Sequence, residues 1–284
     1  MGMPYIILIV CLALAFVLQL LTGGLPVVFF SFPLNLIIAV LWLGGMLWTW
    51  KNCRKSIFVG FMLSKGATLW AVGLFLICCI VIGITGHKEL ASSWVYVTVM
   101  LYFLTVLLFV ILRGWRSATA TGARLGAIRW RFLLNHAGIL IALASAFWGT
   151  PDSQTYRLQA VYDQPVREGY RMDGSSVWLD HEIMLTGFRM ETYSDGTPAM
   201  FEADVTIGDR NVTLRVNEPC SLSLAEDIYL TGYDTEAGEQ SRYCILQVVR
   251  EPWKYSALAG IIMMLAGALL LFAGGPQKRY GEDD

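Results

Sequence analysis

The sequence predicts a polytopic α-helical membrane protein, with six transmembrane helices and one β-rich extracytoplasmic domain between helices five and six. Three observations predict it. The 284-residue chain is 56% hydrophobic and only 15% charged, against roughly 25% charged residues in a soluble domain. It holds six apolar runs long enough to cross about 30 Å of hydrocarbon, which takes roughly 20 helical residues. Its charge is also partitioned, because none of the 22 acidic residues precedes Glu89 and 18 lie between Asp152 and Glu251. A chain this apolar cannot stay extended in water, so disorder is excluded, and no nucleic-acid partner is expected.

The apolar runs are residues 4–22, 33–50, 68–86, 94–112, 132–150 and 255–274. The first lacks a basic segment before it and a small-x-small cleavage site before Gly23, so it reads as a retained helix and not a secretory signal. Lys and Arg collect on the cytoplasmic side. Lys51, Arg54, Lys55 and Lys65 lie between runs two and three, Arg113, Arg116, Arg124, Arg129 and Arg131 between runs four and five, and Lys278 and Arg279 after run six. Residues 23–32 and 87–93 carry only Lys88 and face outward. Both termini are then cytoplasmic, and the insert is extracytoplasmic. Trp48, Trp50, Trp70, Trp94, Trp115, Trp130, Trp148 and Trp253 fall near the ends of these runs, where an amphipathic indole prefers to sit. Four regions follow: a four-helix membrane region at 1–131, helix five at 132–150, the β-rich domain at 151–254, and helix six with a short tail at 255–284.

Within the insert, Val212, Leu214 and Val216 alternate with Thr213, Arg215 and Asn217, the period of a half-buried strand. Apolar or alternating runs recur at 156–162, 183–190, 199–207, 227–232 and 243–249, punctuated by turn signals at Asp173-Gly174, Asp195-Gly196 and Gly208-Asp209. Short strands over about 100 residues predict a β-sandwich or an open barrel-like sheet. Cys220 and Cys244 both lie in the insert, on the side where disulfides persist. They read as a stabilising disulfide, with two unpaired thiols and a redox pair as alternatives. Their spacing lacks the Cys-x-x-Cys geometry that tunes thiol pKa.

Enzyme signatures are scarce: there is no Gly-x-Ser-x-Gly, no phosphate-binding glycine loop, no His-Glu-x-x-His and no Cys-x-x-Cys-His. Of three histidines, His87 and His181 read as solvated. His136 sits one turn into helix five, after Arg129-Trp130-Arg131. An ionisable group at that depth is costly and marks a functional-site hypothesis. At about 100° per residue Leu140, Leu143 and Phe147 share its face, while Gly138, Ala142, Ser145 and Gly149 form a small stripe opposite. The small stripe admits a neighbouring helix. The histidine face offers an axial nitrogen beside an apolar wall, as a haem plane requires. The alternative is a histidine hydrogen-bonded to a neighbouring helix or facing headgroups. Gly260, Gly267 and Gly274 repeat every seven residues in the last run, so it too should pack closely against a helix.

Several segments resemble the ResB-like (CcsB) cytochrome c biogenesis proteins. They are "RWRFLLNHAGILIALASAFWG", then "YSDGTPAMFEADVTI" and "VNEPCSLSLAEDIYLTGYD", and last "LQVVREPWKYSALAGIIMMLAGALLLF". Together they run from about 130 to 274. The resemblance implies membership of the System II machinery, in which such a subunit joins a CcsA-type membrane partner to move haem outward and attach it to Cys-x-x-Cys-His sites of apocytochrome c. It implies that His136 matches the family's membrane histidine, one axial ligand to haem iron, with the other from the partner. It makes Arg129 and Arg131 candidates for propionate contacts. The family pattern has three helices before the outer domain where this chain has five. No tryptophan-rich outer segment like that of the CcsA-type partner is found, so a separate or downstream-encoded partner is expected to complete a haem site.

The resulting expectation is a haem-handling, non-catalytic subunit of a holocytochrome c synthase complex. A non-haem membrane scaffold with a ligand-binding β-domain is the alternative, and a transporter is weaker because the helices hold almost no other charge. The insert carries net −9 (nine basic and 18 acidic residues over 151–254), which suits weak, salt-sensitive steering of a basic apocytochrome.

Overall fold

The computed structural model describes residues 2–120, 130–195 and 197–273. Two units emerge: a helical one, residues 1–151 with 253–284, and a β-domain, Asp152–Pro252. The helical unit comprises α1 (Met3–Thr22), α2 (Leu34–Asn52), α3 (Ile57–Met62), α4 (Lys65–Thr85), α5 (Trp94–Ala120), α6 (Trp130–Gly149) and α7 (Lys254–Ala273). All but α3 are long and apolar enough to cross a membrane, and they coincide with the six expected runs to within a few residues. Two details differ. The basic segment between runs two and three folds a one-and-a-half-turn helix, α3, because Ser56 caps it by accepting from the Val59 N–H. The fourth span continues past residue 112 through Arg113 and Arg116, because charge ends a membrane run without ending a helix.

The centre of the bundle is α5, half of whose apolar window is buried. Val59 and Met62 of α3, Ala67 and Ala71 of α4, and Tyr102, Val106 and Phe109 of α5 share one packed cluster with Leu8 of α1. The Tyr102 hydroxyl donates to the Ala67 carbonyl (2.9 Å), joining α5 to the first turn of α4. Arg113 Nη1 donates to the Leu63 carbonyl (3.1 Å), so one of the basic residues of this region satisfies the end of α3.

Against α6 the last helix packs closely at its glycines. A Cβ on Gly260 would stand 2.5 Å from the Ala142 nitrogen and 2.7 Å from the Gly138 carbonyl oxygen, and one on Gly267 would meet Asn135. The expected stripe of Gly138, Ala142, Ser145 and Gly149 is therefore the α6 side of this contact. Gly149 and Trp253 meet at the same end of the pair. Gly274 lies outside the described residues.

The β-domain is a single eight-stranded sheet in the order β5-β4-β3-β2-β1-β8-β7-β6, comprising β1 (Gln154–Val161), β2 (Val166–Arg171), β3 (Ser176–Thr192), β4 (Pro198–Ile207), β5 (Arg210–Arg215), β6 (Cys220–Ser221), β7 (Glu226–Tyr233) and β8 (Tyr243–Arg250). Every strand pairing is antiparallel. A parallel bridge from Val216, just past edge strand β5, to Leu230 of β7 brings the two ends of the sheet together. Of the two architectures expected, the structure adopts the barrel-like one: alternate residues Tyr156, Leu158, Ala160, Ile183, Leu185, Val205, Leu214, Ile228, Leu246 and Val248 fill one core. Register shifts beside Gly187 and Gly232 bend β3 and β7. The Asp173-Gly174 turn forms as expected: Gly174 takes φ +82° while Asp173 accepts from the Ser175 N–H and hydroxyl. Gly208 likewise sits at φ +55°. Gly196 lies outside the described residues. The strands β2 and β6 were not expected, because Val166–Arg171 carries three charges in six residues and β6 is two residues long.

On the outer face of β3, β4 and β5, Arg189 bridges Glu202 and Asp204, Arg215 reaches Glu202 at 3.0 Å, and Thr213 donates to Asp204 at 2.6 Å. The Arg189 guanidinium, with Arg215 and Thr213, holds both carboxyl groups below the usual carboxylate range. Folded values below unfolded ones give stabilisation that is fully present above about pH 4 and lost as pH falls through the lowered folded values. Arg189 is half exposed, so Arg189→Gln should change stability little near neutrality, because solvent screens an exposed ion pair. Its sharper effect is to flatten the acid dependence, checked by following β3–β5 hydrogen exchange in the whole protein from pH 6 to pH 3.

Candidate functional site

His136 is the single ionisable ring inside the described part of α6. Its Nδ1 lies 2.9 Å from the Phe132 carbonyl oxygen one turn earlier. A carbonyl oxygen only accepts, so Nδ1 is the donor in this contact, and in the neutral form of the ring the lone pair is then on Nε2. No side chain among the described residues is bonded to Nε2. The imidazole also rests on the Phe132 ring, centroids 4.0 Å apart and planes 33° apart. Phe132 in turn fills the space over Gly114 of α5, where a Cβ would collide with the ring. Three residues on two helices therefore fix the direction of one imidazole: the glycine admits the ring, the ring supports the histidine, and the backbone carbonyl selects the tautomer. This arrangement orients a nitrogen ligand in the way that carbonyl partners do at metal sites.

The face shared with His136 continues toward the C-terminal end of α6. Two and three turns on, Leu143 and Phe147 belong to the wall of an apolar cavity of about 310 Å³, between the start of α2, the start of α5 and the end of α6. Met264, a conceivable sulfur ligand on α7, packs on Gly138 on the opposite face of α6 and is engaged in helix contact. Arg131 precedes His136 by five residues, about 7.5 Å along the axis, and is half-buried. Arg129 and Arg124 lie outside the described residues. Among the described residues no cluster of three or more His, Cys, Asp or Glu could hold a metal ion.

The structure does not bring Cys220 and Cys244 together, contrary to the expected disulfide. Both are free thiols. Cys220 of β6 faces Ile228, and Cys244 of β8 faces Tyr233, on opposite sides of β7 and five residues apart along it. At about 3.3 Å per residue that separation exceeds the roughly 7 Å between Cα atoms that a disulfide tolerates. Both cysteines fall in the same domain of the sequence, but sequence alone did not reveal that a strand runs between them. Burial pushes the Cys244 thiol up to about 12, making it inert. His181, read as solvated, borders two clefts of the β-domain. The aromatic support of His136 was missed as well, although Phe132 stands at the i−4 position from which a side chain meets it.

Residues 110–241 match the sequence model of the ResB-like family. The match is shifted toward the N-terminus of the region expected, taking in the end of α5 and leaving out β8 and α7. No curated protein sequence matches the chain. Three solved chains are similar to it. One of them, described as the cytochrome c haem lyase CcmF, superposes with a TM-score of 0.41 at 12% identity, covering 83% of this chain and 45% of that one. This chain therefore spans less than half the length of that protein. From the last turns of α5 through α6 and most of the β-domain, over residues 110–241, the chain is similar to the ResB-like family.

Proposed function

We propose that the protein is the haem-handling subunit of a System II cytochrome c maturation complex in a bacterial cytoplasmic membrane. In this reading it works with a CcsA-type membrane partner and delivers haem outward for attachment to apocytochrome c. The observation that carries the reading is His136: an imidazole inside an apolar span, its Nδ1 committed to the Phe132 carbonyl and its Nε2 left open, in the region that matches the ResB-like family. Haem would supply an iron that takes axial nitrogen ligands. The residues present fit one half of such a site, with His136 as ligand, Leu140 as apolar wall, and Arg131 at the end of the span where propionates would lie. The partner would supply the second axial nitrogen. In this reading its part is binding and orientation of haem. The β-domain, rich in carboxylates, faces outward in this topology and attracts a basic apocytochrome.

The test is His136→Gly in the complex co-expressed with its CcsA-type partner, reading haem that copurifies and the yield of c-type cytochrome. Loss of the ligand is expected to lower both at least tenfold, with imidazole in the medium restoring haem. Unchanged haem and cytochrome would return the protein to the alternative of a non-haem scaffold, which has no reason to show a low-spin Soret band.

A further inference from the structure

The stretch from the end of α2 to the start of α4 holds four cations, Lys51, Arg54, Lys55 and Lys65, and no acidic residue precedes Glu89 in the chain. Among the described residues none of the four side chains pairs with a carboxylate. Topology explains why cations collect on one side of a membrane. It does not explain how Arg54 is held. Cys53 to Ser56 form a hydrogen-bonded turn, the Ser56 N–H donating to the Cys53 carbonyl at 2.9 Å, with Arg54 and Lys55 at its two corners. The Arg54 guanidinium lies over the Trp50 ring, 4.7 Å from its centroid, and its Nε donates to the Trp50 carbonyl at 3.3 Å. Trp50 leans in turn on Phe109 of α5, centroids 5.9 Å apart, and Phe109 is fully buried. One nitrogen and one face therefore immobilise the guanidinium, and its two terminal nitrogens are spare. Neither has a partner among the described residues and neither is buried, so both donors open at the surface.

The helix that follows the turn supplies the second half of the pattern. Val59 and Met62 anchor α3 in the packed cluster of the bundle. Ile57 and Phe58, directly after the cationic corner, are 75% and 41% exposed, although the Phe58 ring also touches Phe109. Charge followed at once by bare apolar side chains, at the end of a membrane span, matches the change from headgroup to acyl chain in a lipid leaflet. A planar guanidinium presents parallel N–H groups that fit two oxygens of a phosphate. A free anion would use Arg54 and leave Ile57 and Phe58 without a role.

We propose that Arg54, with Lys55 beside it, binds the phosphate of an anionic glycerophospholipid whose acyl chains lie along Ile57 and Phe58. The lipid neutralises a segment to which the described residues offer no carboxylate, and the stacked guanidinium gives its headgroup a fixed position. The proposal is independent of the haem reading, since neither His136 nor Arg131 takes part in it.

The test is native mass spectrometry of the full-length protein in detergent, with dioleoyl phosphatidylglycerol and dioleoyl phosphatidylcholine as probes, which share chains and differ in headgroup charge. Phosphatidylglycerol is expected to bind about tenfold more tightly, the scale set by two cations near a lipid surface. Arg54→Gln should reduce the preference to about twofold, and Arg54→Lys, which keeps the charge without the fork, should leave it between those values. Lys55→Gln alters an exposed, unbonded side chain and should lower the preference about threefold, so the result does not hang on the packing of Arg54 against Trp50. Lys88→Gln removes one charge beyond the other end of α4 and should change nothing. Inorganic phosphate at matched ionic strength should not displace phosphatidylglycerol; displacement would assign the site to a free anion and overturn the lipid. Equal binding of the two lipids to the wild-type protein would overturn it as well, as would a preference that survives both Arg54→Gln and Lys55→Gln or one that falls equally in Lys88→Gln.

Discussion

Gly260→Leu is expected to destabilise the protein by about 3 kcal/mol or more and to part α7 from α6. A side chain there starts 2.5 Å from the Ala142 nitrogen and 2.7 Å from the Gly138 carbonyl. Both obstacles are backbone, so no rotamer change relieves the clash and the helices themselves must separate. Overpacking that can relax costs roughly 1–3 kcal/mol; this position lacks that relief. Lipid offers no compensating hydrophobic gain, because helix association in a bilayer rests on close contact of small surfaces. Gly83→Leu is the control. It is also a glycine on an apolar span, in the last turn of α4, but nothing lies within 4 Å of its Cβ direction, so its melting temperature in detergent should stay within a degree or two of wild type or rise slightly on helix propensity. The pair α6–α7 also brackets the β-domain: Gly149 and Trp253 meet at one end of the helix pair, while β1 and β8, the first and last strands, pair along Gln154↔Arg250 to Val161↔Tyr243. Equal melting temperatures for the two variants would show that α6 and α7 do not depend on this contact.

The same contact shows what was legible in the sequence. The glycines of α6 and α7 could be read as packing surfaces because a small stripe has one use in an apolar helix, and the structure puts Gly138 against Gly260. Spans and strands were legible for the same kind of reason: hydrocarbon thickness fixes the length of one and the pleat fixes the period of the other. Closure of the sheet was not, because the bridge from Val216 to Leu230 joins residues 14 apart in sequence across strand β6, and no local pattern encodes such a pairing. The two cysteines failed for that reason too. Sharing a domain says nothing of whether β7 runs between them. At His136 the residue type and depth singled out the position, whereas the orientation of its ring depends on Gly114, more than 20 residues earlier on another helix, which the sequence gives no reason to associate with it.

That orientation yields the last prediction, which rests on His136 being a haem ligand. Phe132→Ala keeps the backbone carbonyl that receives Nδ1–H but removes the ring on which the imidazole lies. The histidine then samples other χ angles, and Nε2 spends less time pointed along the direction the ligand needs. Partners of this kind typically change metal affinity about 10- to 100-fold, so haem copurifying with the complex should fall at least tenfold. Phe132→Leu, which retains bulk over Gly114, should recover most of it. Gly114→Ala approaches the same ring from the other side: its Cβ would collide with Phe132, and a rigid ring must tilt away as a whole, carrying its support of His136 with it. Haem should drop in this variant too, to a smaller degree. Melting temperature alone cannot separate positioning from damage, and the absorption spectrum can. A displaced ligand leaves a high-spin, weakened Soret band that added imidazole sharpens, whereas a misfolded complex retains no haem for imidazole to restore. If Phe132→Ala copurified with wild-type haem and an unaltered low-spin spectrum, the ring would be packing only, and the Nδ1 bond to the backbone would be sufficient to aim the ligand.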